Sequence, residues 1–245
     1  IIGGGVIGIE FASFFNSLGV QVCVIEMLPE ILGNMDKELS AMLRNEYIKK
    51  GIDFHLESRV VRIDGDQITI EKDGQQSEIR ATRILLSTGR RPIVRNVTPD
   101  CLGLELYKSG IKVDEWMRTS HPNIYACGDI TGHSLLAHTA VREAEVAINH
   151  ILDIHDSISY KAIPAVVYTN PEIAGVGKTG EELDQKGIKY HTLKLPMAYS
   201  GRFGFPLYKS LMIHIILTRN SHSSSFCFEF FLSSLGFLSN PSLHF

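Results

Sequence analysis

The opening of this chain constrains it most: Ile1-Ile2-Gly3-Gly4-Gly5-Val6-Ile7-Gly8-Ile9-Glu10 joins the end of an apolar strand to a glycine-rich turn and then to a helix. Its glycines stand at G-x-G-x-x-G spacing. Gly3 permits a tight turn, Gly5 lets backbone approach a pyrophosphate that a side chain would block, and Gly8 allows a helix to pack closely on a strand. The phosphates would then lie over the N–H groups that open the helix. Such spacing also serves ordinary turns, so the surrounding pattern decides. Ile9, Ala12, Phe15 and Leu18 recur at helical spacing, Gly19 is a C-terminal stop, and residues 20–25 read as a buried second strand. Glu26 closes that strand about 20 residues after the first glycine, where a carboxylate takes both ribose hydroxyls of NAD. Met27, Leu28 and Pro29 follow, with no Arg or Lys to pair with the 2′-phosphate of NADP. The alternative for Glu26 is a solvated acid at a strand end. With no initiator Met and almost no strand ahead of Gly3, the expectation is that upstream sequence has been cut away.

Composition narrows the remaining classes. The 245 residues, 44% hydrophobic and 21% charged, are in the range of a globular protein of one large or two modest domains. A net charge of -3 gives no basic surface for nucleic acid. Cys23, Cys101, Cys127 and Cys227 have neither metal nor short redox spacing, and Cys23 and Cys127 lie in apolar runs that read as strands holding small buried hydrophobes.

Four segments follow along the chain. Residues 1–92 read as a Rossmann-like NAD-binding domain of α/β class. In it, Asp36 caps a helix that turns Leu39, Met42, Leu43 and Tyr47 inward and stops at Gly51. A third strand spans residues 52–56, Val60 follows, residues 67–72 and 77–80 flank Asp73-Gly74 as a hairpin in a β-meander, and residues 83–87 form a further strand that leads into Gly89-Arg90-Arg91-Pro92. In residues 93–157, the run 124–127 is expected as a short buried strand, with Gly128 turning the chain so that Asp129 projects where it can accept hydrogen bonds from a polyol. A helix over residues 135–152 follows, its expected buried face formed by Leu136, Ala140, Ala144, Ala147, Ile148 and Ile151. The positive end of that helix suits an anionic ring edge. His138 near its start is on general grounds a packed or capping histidine.

Taken together, the opening turn, Gly89-Arg90-Arg91-Pro92, the run 124–129, Leu135-Leu136-Ala137-His138 and Ile163-Pro164-Ala165-Val166-Val167-Tyr168-Thr169-Asn170-Pro171-Glu172 resemble, in order, the flavin disulfide reductases. The pairing of Gly89-Arg90-Arg91-Pro92 with Leu136-Ala137-His138 is most similar to the branch that reoxidises dihydrolipoyl groups; glutathione and mercuric ion reductases are the runner-up branches. The resemblance covers residues 1–203. It implies that Gly3, Gly4, Gly5, Val6, Ile7, Gly8, Ile9, Glu10, Glu26, Val60 and Gly89 line an NAD site, and that Asp129, Leu135, Leu136, Ala137 and His138 contact FAD. By the same resemblance Glu10 lies on the nicotinamide side of the flavin; by residue type alone it is a surface acid. Residues 93–157 would be the C-terminal part of a FAD-binding domain, and residues 158–203 the start of an α+β dimerisation domain in which residues 165–168 form a buried strand. The partners implied are a second copy of the chain and a lipoyl-bearing carrier domain of a 2-oxo acid dehydrogenase or glycine cleavage complex. The compartments implied are the bacterial cytoplasm or the mitochondrial matrix.

Two departures qualify the resemblance. The family's own flavin-site glycine turn and its C-x-x-x-x-C precede the region present here, and no His-Glu pair of the kind that supplies its base follows Phe203. Residues 204–245, with phenylalanines crowded among serines, read as a divergent tail without a single period and too interrupted for a membrane span. A nucleotide-binding fragment without turnover is therefore the alternative from a different class.

Overall fold

In the computed structural model, which describes residues 1–33, 35–97, 99–107, 109–196, 212–219 and 224–232, the glycine turn runs straight into α1 (Val6–Ser17). Gly19, at a φ of 78°, reverses the chain after α1. Val20 still belongs to that reversal, because its N–H donates to the Phe15 carbonyl at 3.1 Å. The strand expected over residues 20–25 therefore shortens to β1 (Cys23–Ile25), and Val20 and Leu18 are exposed rather than buried. Asp36 caps α2 (Lys37–Lys49), its carboxylate accepting from the Glu38 and Leu39 N–H groups at 2.9 and 3.0 Å. Leu39, Leu43 and Tyr47 are buried from one face of α2, and Gly51 ends it at a φ of 87°.

β2 (Asp53–His55) then pairs parallel with β1. Ile2 bridges in parallel to Ile25 on one side and to Leu86 on the other. Residues 83–87 thus form no regular strand. The backbone pairing there is with Ile2, which donates to the Leu85 carbonyl and accepts from the Ser87 N–H, both at 2.8 Å. The antiparallel meander comprises β3 (Arg59–Asp64), β4 (Gln67–Lys72) and β5 (Gln75–Arg80). Its second hairpin closes on Asp73 and Gly74, both with positive φ, so β5 begins two residues earlier than residue 77.

The chain divides into two units, Ile1–Thr88 with Pro164–Phe245, and Gly89–Ile163. The second unit holds a 3₁₀ turn (Arg95–Val97), a short α3 (Pro99–Leu102), the small ladder of β6 (Leu106–Tyr107) and β7 (Gly110–Ile111), a 3₁₀ turn at Asp129–Thr131, and α4 (Ala137–Ile151). The expected strand over residues 124–127 reduces to one antiparallel bridge, Arg118 to Tyr125, flanked by the Ala126 N–H donating to the carbonyl of Met117, which has a φ of 66°. Cys127 is exposed, which corrects its reading as a buried hydrophobe. The buried face of α4 is also corrected: it carries Thr139, Glu143, Val146 and Ala147, while Ile148 and Ile151 are exposed. An acid occupies the inward position because its carboxylate accepts there from the buried Gly128 N–H and from the Tyr160 hydroxyl.

The chain then returns to the first unit. β8 (Pro164–Val167), β9 (Glu172–Val176), β10 (Tyr190–Pro196), β11 (Met212–Arg219) and β12 (Ser224–Leu232) form one antiparallel sheet in the order β10-β11-β12-β9-β8, with α5 (Gly180–Gln185) between β9 and β10. β8 ends at Val167, and of the expected buried strand over residues 165–168 only Val167 is buried: Ala165 and Val166 are half-buried and Tyr168 is 72% exposed. β11 and β12 fall within residues 204–245; the rest of that segment lies outside the described residues. Val167 and Ile173 join Ile9, Ala12, Val24, Leu39, Leu43 and Tyr47 in one core, so β8 and β9 pack on the helices of the nucleotide-type fold. Burial of apolar surface at about 25 cal/mol per Å² is the main force holding these elements together.

Candidate functional site

Each glycine of the opening turn has a distinct geometric reason. Gly3 takes a φ of 108°, and a Cβ there would lie 2.5 Å from the Ser87 carbonyl oxygen. At Gly8 a Cβ would sit 2.0 Å from the Gly3 carbonyl oxygen and 2.7 Å from Ser87 Oγ, so helix and turn touch backbone to backbone. Gly5 is the opposite case: a Cβ there would meet nothing within 4 Å. Its smallness serves no contact inside the protein, which leaves open space over the start of α1. No side chain caps that helix. Its first N–H groups and the helix dipole are directed toward the same opening.

Glu26 lies at the carboxyl end of β1 and is half-buried. Its Oε2 accepts from the Gly4 N–H at 2.5 Å and its Oε1 from the Leu28 N–H at 2.8 Å. The backbone is held as well: Glu26 N–H donates to the His55 carbonyl, and the Ser58 N–H donates to the Glu26 carbonyl, both at 2.9 Å. A carboxylate has about four lone-pair sites, so two remain for hydroxyl donors. The Gly4 carbonyl accepts from the Leu32 N–H at 2.9 Å, which ties the loop after Glu26 to the glycine turn.

The structure distributes the other expected residues. Val6 is exposed and Ile7 half-buried at the helix start, whereas Ile9 is fully buried and belongs to the core. Val60 packs half-buried against Ile2, Ile25, Ile68 and Ile70, beside a bulge in the β3–β4 ladder. Glu10 accepts from the Tyr168 N–H at 2.9 Å, so its carboxylate joins α1 to the chain leaving β8. Gly89, at a φ of 110°, opens the second unit and is described with it.

In the second unit Gly128, at a φ of 81°, turns the chain into Asp129, which is exposed. α4 starts without a side-chain cap, and the Leu135 carbonyl just before it accepts from Arg90 Nη2 at 3.1 Å. Leu135 and Leu136 are half-buried; Ala137 and His138 are exposed. A carboxylate that sequence reasoning passed over organises this region. Glu143 is fully buried, and its Oε2 accepts from the Gly128 N–H at 2.5 Å while its Oε1 accepts from the Tyr160 hydroxyl at 2.6 Å. Burial and the Glu143 carboxylate push the Tyr160 hydroxyl well above its ordinary value, so it remains a donor. Ser87 was also missed. Its Oγ donates within reach of the Ile2 and Gly3 carbonyls, at 3.1 and 3.0 Å. The available signals were an acid on the inward side of an amphipathic helix and a serine at a strand exit.

A glycine turn, an uncapped helix start and a strand-end carboxylate on a parallel ladder are the parts of a Rossmann-like α/β unit, here joined to an antiparallel sheet domain. Comparison with known proteins narrows the class. Residues 1–144 match the pyridine nucleotide-disulphide oxidoreductase family model, and residues 163–223 match that family's dimerisation domain. The chain is 40% identical over 205 residues to dihydrolipoyl dehydrogenase of Chlamydia pneumoniae, covering 82% of this chain and 44% of the relative. It is 34% identical over 209 residues to the mitochondrial dihydrolipoyl dehydrogenase of Pisum sativum, covering 82% and 42%. Among solved structures, LpdA from Mycobacterium tuberculosis superposes with a TM-score of 0.81 at 26% identity, covering 94% of this chain and 50% of that one. The chain belongs to the pyridine nucleotide-disulphide oxidoreductase family. It spans less than half the length of the two dihydrolipoyl dehydrogenases.

Proposed function

We propose that this chain is the NAD-binding part, with a share of the FAD-binding part, of a dihydrolipoyl dehydrogenase. The observation that carries the reading is the Glu26–Gly4 bond at 2.5 Å, which fixes a strand-end carboxylate beside a glycine turn whose Gly5 faces open space. The residues fit a dinucleotide. Backbone at Gly3, Gly4, Gly5, Val6, Ile7 and Gly8 would receive the pyrophosphate, and the free lone pairs of Glu26 would accept from the ribose diol. Ile9 supports the turn from the core, Val60 shapes the strand edge from the meander, and Gly89 lets the chain leave the sheet. Glu10 would stand on the nicotinamide side, held by Tyr168.

For flavin, Asp129 would accept from ribityl hydroxyls, and the start of α4 at Leu135, Leu136, Ala137 and His138 would face the pyrimidine edge, where the positive helix end favours negative charge. Bound FAD would supply the two-electron relay between a dithiol and the nicotinamide. This chain's own contribution is binding and electrostatics: Glu143 sets the Gly128 turn that presents Asp129, and Arg90 holds the Leu135 carbonyl ahead of the helix. The partners in this reading are a second copy of the chain through the sheet domain and a lipoyl-bearing carrier domain. The compartment is bacterial cytoplasm or mitochondrial matrix. Domain limits are proposed at residues 1–92 and 93–157, with the dimerisation domain starting at 158 and running past 203, since the family's dimerisation domain matches to residue 223 and β11 lies in its sheet.

None of the four cysteines in this sequence has the spacing of the family's redox pair, so the 245-residue chain should not turn over alone. Loss of a general base alone typically costs about 10²–10⁴ in rate. The test is steady-state NADH formation from dihydrolipoamide and NAD with added FAD. No turnover by this chain, and turnover once a flavin domain carrying a C-x-x-x-x-C and a family-type C-terminus are supplied, are expected. Appreciable turnover by the chain alone would contradict the fragment reading.

A further inference from the structure

β1 and β2 place three ligand-type side chains together, none of them a residue of the glycine turn. Cys23 stands opposite Asp53 and Ile25 opposite His55 in the parallel register. Side chains alternate along a strand, so Cys23, Asp53 and His55 share one face of the pair. Val24 and Phe54 take the other face, in the helix-side core. On the shared face the Cys23 sulfur, an Asp53 carboxylate oxygen and a His55 ring nitrogen all lie within 4.8 Å of one another. His55 Nε2 and Asp53 Oδ2 are already 2.9 Å apart. Cys23 is half-buried against Ile2, Ile25, Ile68 and Ile70, whereas the Asp53 side chain is 70% exposed, so the cluster has a packed side and a solvent side.

We propose that Cys23, Asp53 and His55 form a binding site for a borderline-soft divalent cation, best suited to Zn²⁺, with water completing a tetrahedron. The donor set carries the choice of ion: a thiolate with an imidazole and a carboxylate selects zinc-like ions over magnesium or calcium, which take oxygen ligands. The spacing also fits. Ligand distances of about 2.0–2.3 Å around a tetrahedral ion put nitrogen and oxygen about 3.4 Å apart, and sulfur about 3.6 Å from nitrogen. The His55–Asp53 pair, now 2.9 Å apart, would open by about half an ångström, and the Cys23 sulfur already stands within 4.8 Å of both donor atoms. Three protein ligands with one solvent-facing position match the coordination of open zinc sites.

A zinc-like ion binds the thiolate, so cation entry displaces the Cys23 thiol proton to solvent.

The test is a titration of the reduced, chelator-treated 245-residue chain with Co²⁺, followed by Zn²⁺. The expected result is one equivalent of cobalt with a thiolate-to-cobalt charge-transfer band and tetrahedral visible bands, all displaced by Zn²⁺. Cys23→Ser abolishes the charge-transfer band, and His55→Ala weakens binding tenfold or more. Asp53→Asn, at a side chain 70% exposed, weakens it as well, while Cys101→Ser and Cys127→Ser leave it intact. In a second measurement, Zn²⁺ slows alkylation of Cys23 and not of Cys101. A folded chain that shows no charge-transfer band with excess Co²⁺, or a band that survives Cys23→Ser, overturns the site.

Discussion

Gly5 and Gly8 separate, at the scale of single residues, a glycine kept for the protein from one kept for a ligand. Gly8→Ala drives a Cβ to 2.0 Å from the Gly3 carbonyl, so backbone must move. A loss of about 1–3 kcal/mol of stability is expected, and nucleotide affinity falls with it. Gly5→Ala meets nothing within 4 Å and should leave the urea midpoint unchanged, yet it places a methyl group where a pyrophosphate approaches. Loss of NADH affinity without loss of stability in Gly5→Ala is the outcome to look for in paired denaturation and titration. Asp36 offers a residue-scale test of the fold. Asp36→Ala removes the cap to Glu38 and Leu39 and should cost about 1 kcal/mol. Burial alone would raise the Asp36 carboxyl, but His214 and the Leu39 and Glu38 N–H groups outweigh it and hold the group below its ordinary 3.8. A depressed carboxyl contributes stability above that value and loses it as pH falls through the folded value. Acid unfolding monitored by circular dichroism should therefore show a smaller difference between wild type and Asp36→Ala at the acid end than at neutral pH.

At the scale of elements, the Glu143 clamp is the least expected part of the molecule and the most open to test. Glu143→Ala leaves the buried Gly128 N–H and the Tyr160 hydroxyl without their acceptor, at a cost of about 1–3 kcal/mol, while Glu143→Gln keeps an acceptor oxygen and loses less. Hydrogen exchange at the Gly128 amide should speed up in Glu143→Ala first. Because Tyr160 is raised above its ordinary 10.0, it contributes stability present below that pH and lost as pH rises through the folded value; Tyr160→Phe should flatten that alkaline loss. The elements were legible where local chemistry dominates. The Asp36 cap, the Gly19 and Gly51 stops and the Asp73-Gly74 turn are each set by one or two residues acting on their own backbone. Where partners decide, the reading failed. Residues 83–87 have strand composition but their backbone pairs with Ile2 alone among the described residues, and the face of α4 follows the partners of Glu143 rather than the apolar count.

For the molecule as a whole, the α/β class and the family were carried by motifs whose spacing is chemistry, and they could be read without coordinates. What could not be read is the way residues far apart in sequence share one unit. Val167 and Ile173 bury themselves with Leu43 and Tyr47, the Asn170 N–H donates to Tyr47 Oη at 3.1 Å, and Lys50 Nζ donates to the Asn170 carbonyl at 2.5 Å. Nothing in the local sequence marks those pairings, since they depend on how β8 and β9 meet α2. The same holds for Glu10, whose carboxylate meets the Tyr168 N–H across 158 residues. The central claim concerns the ligand of the opening turn, and its most direct test is a calorimetric titration of NADH and NADPH into the 245-residue chain and its Glu26→Ala variant. Charge-assisted hydrogen bonds from the ribose diol to Glu26 amount to about 1.5–3 kcal/mol. NADH should therefore bind roughly tenfold or more tighter than NADPH, and the gap should narrow in Glu26→Ala. Equal affinities for the two nucleotides in the unmodified chain would contradict the assignment.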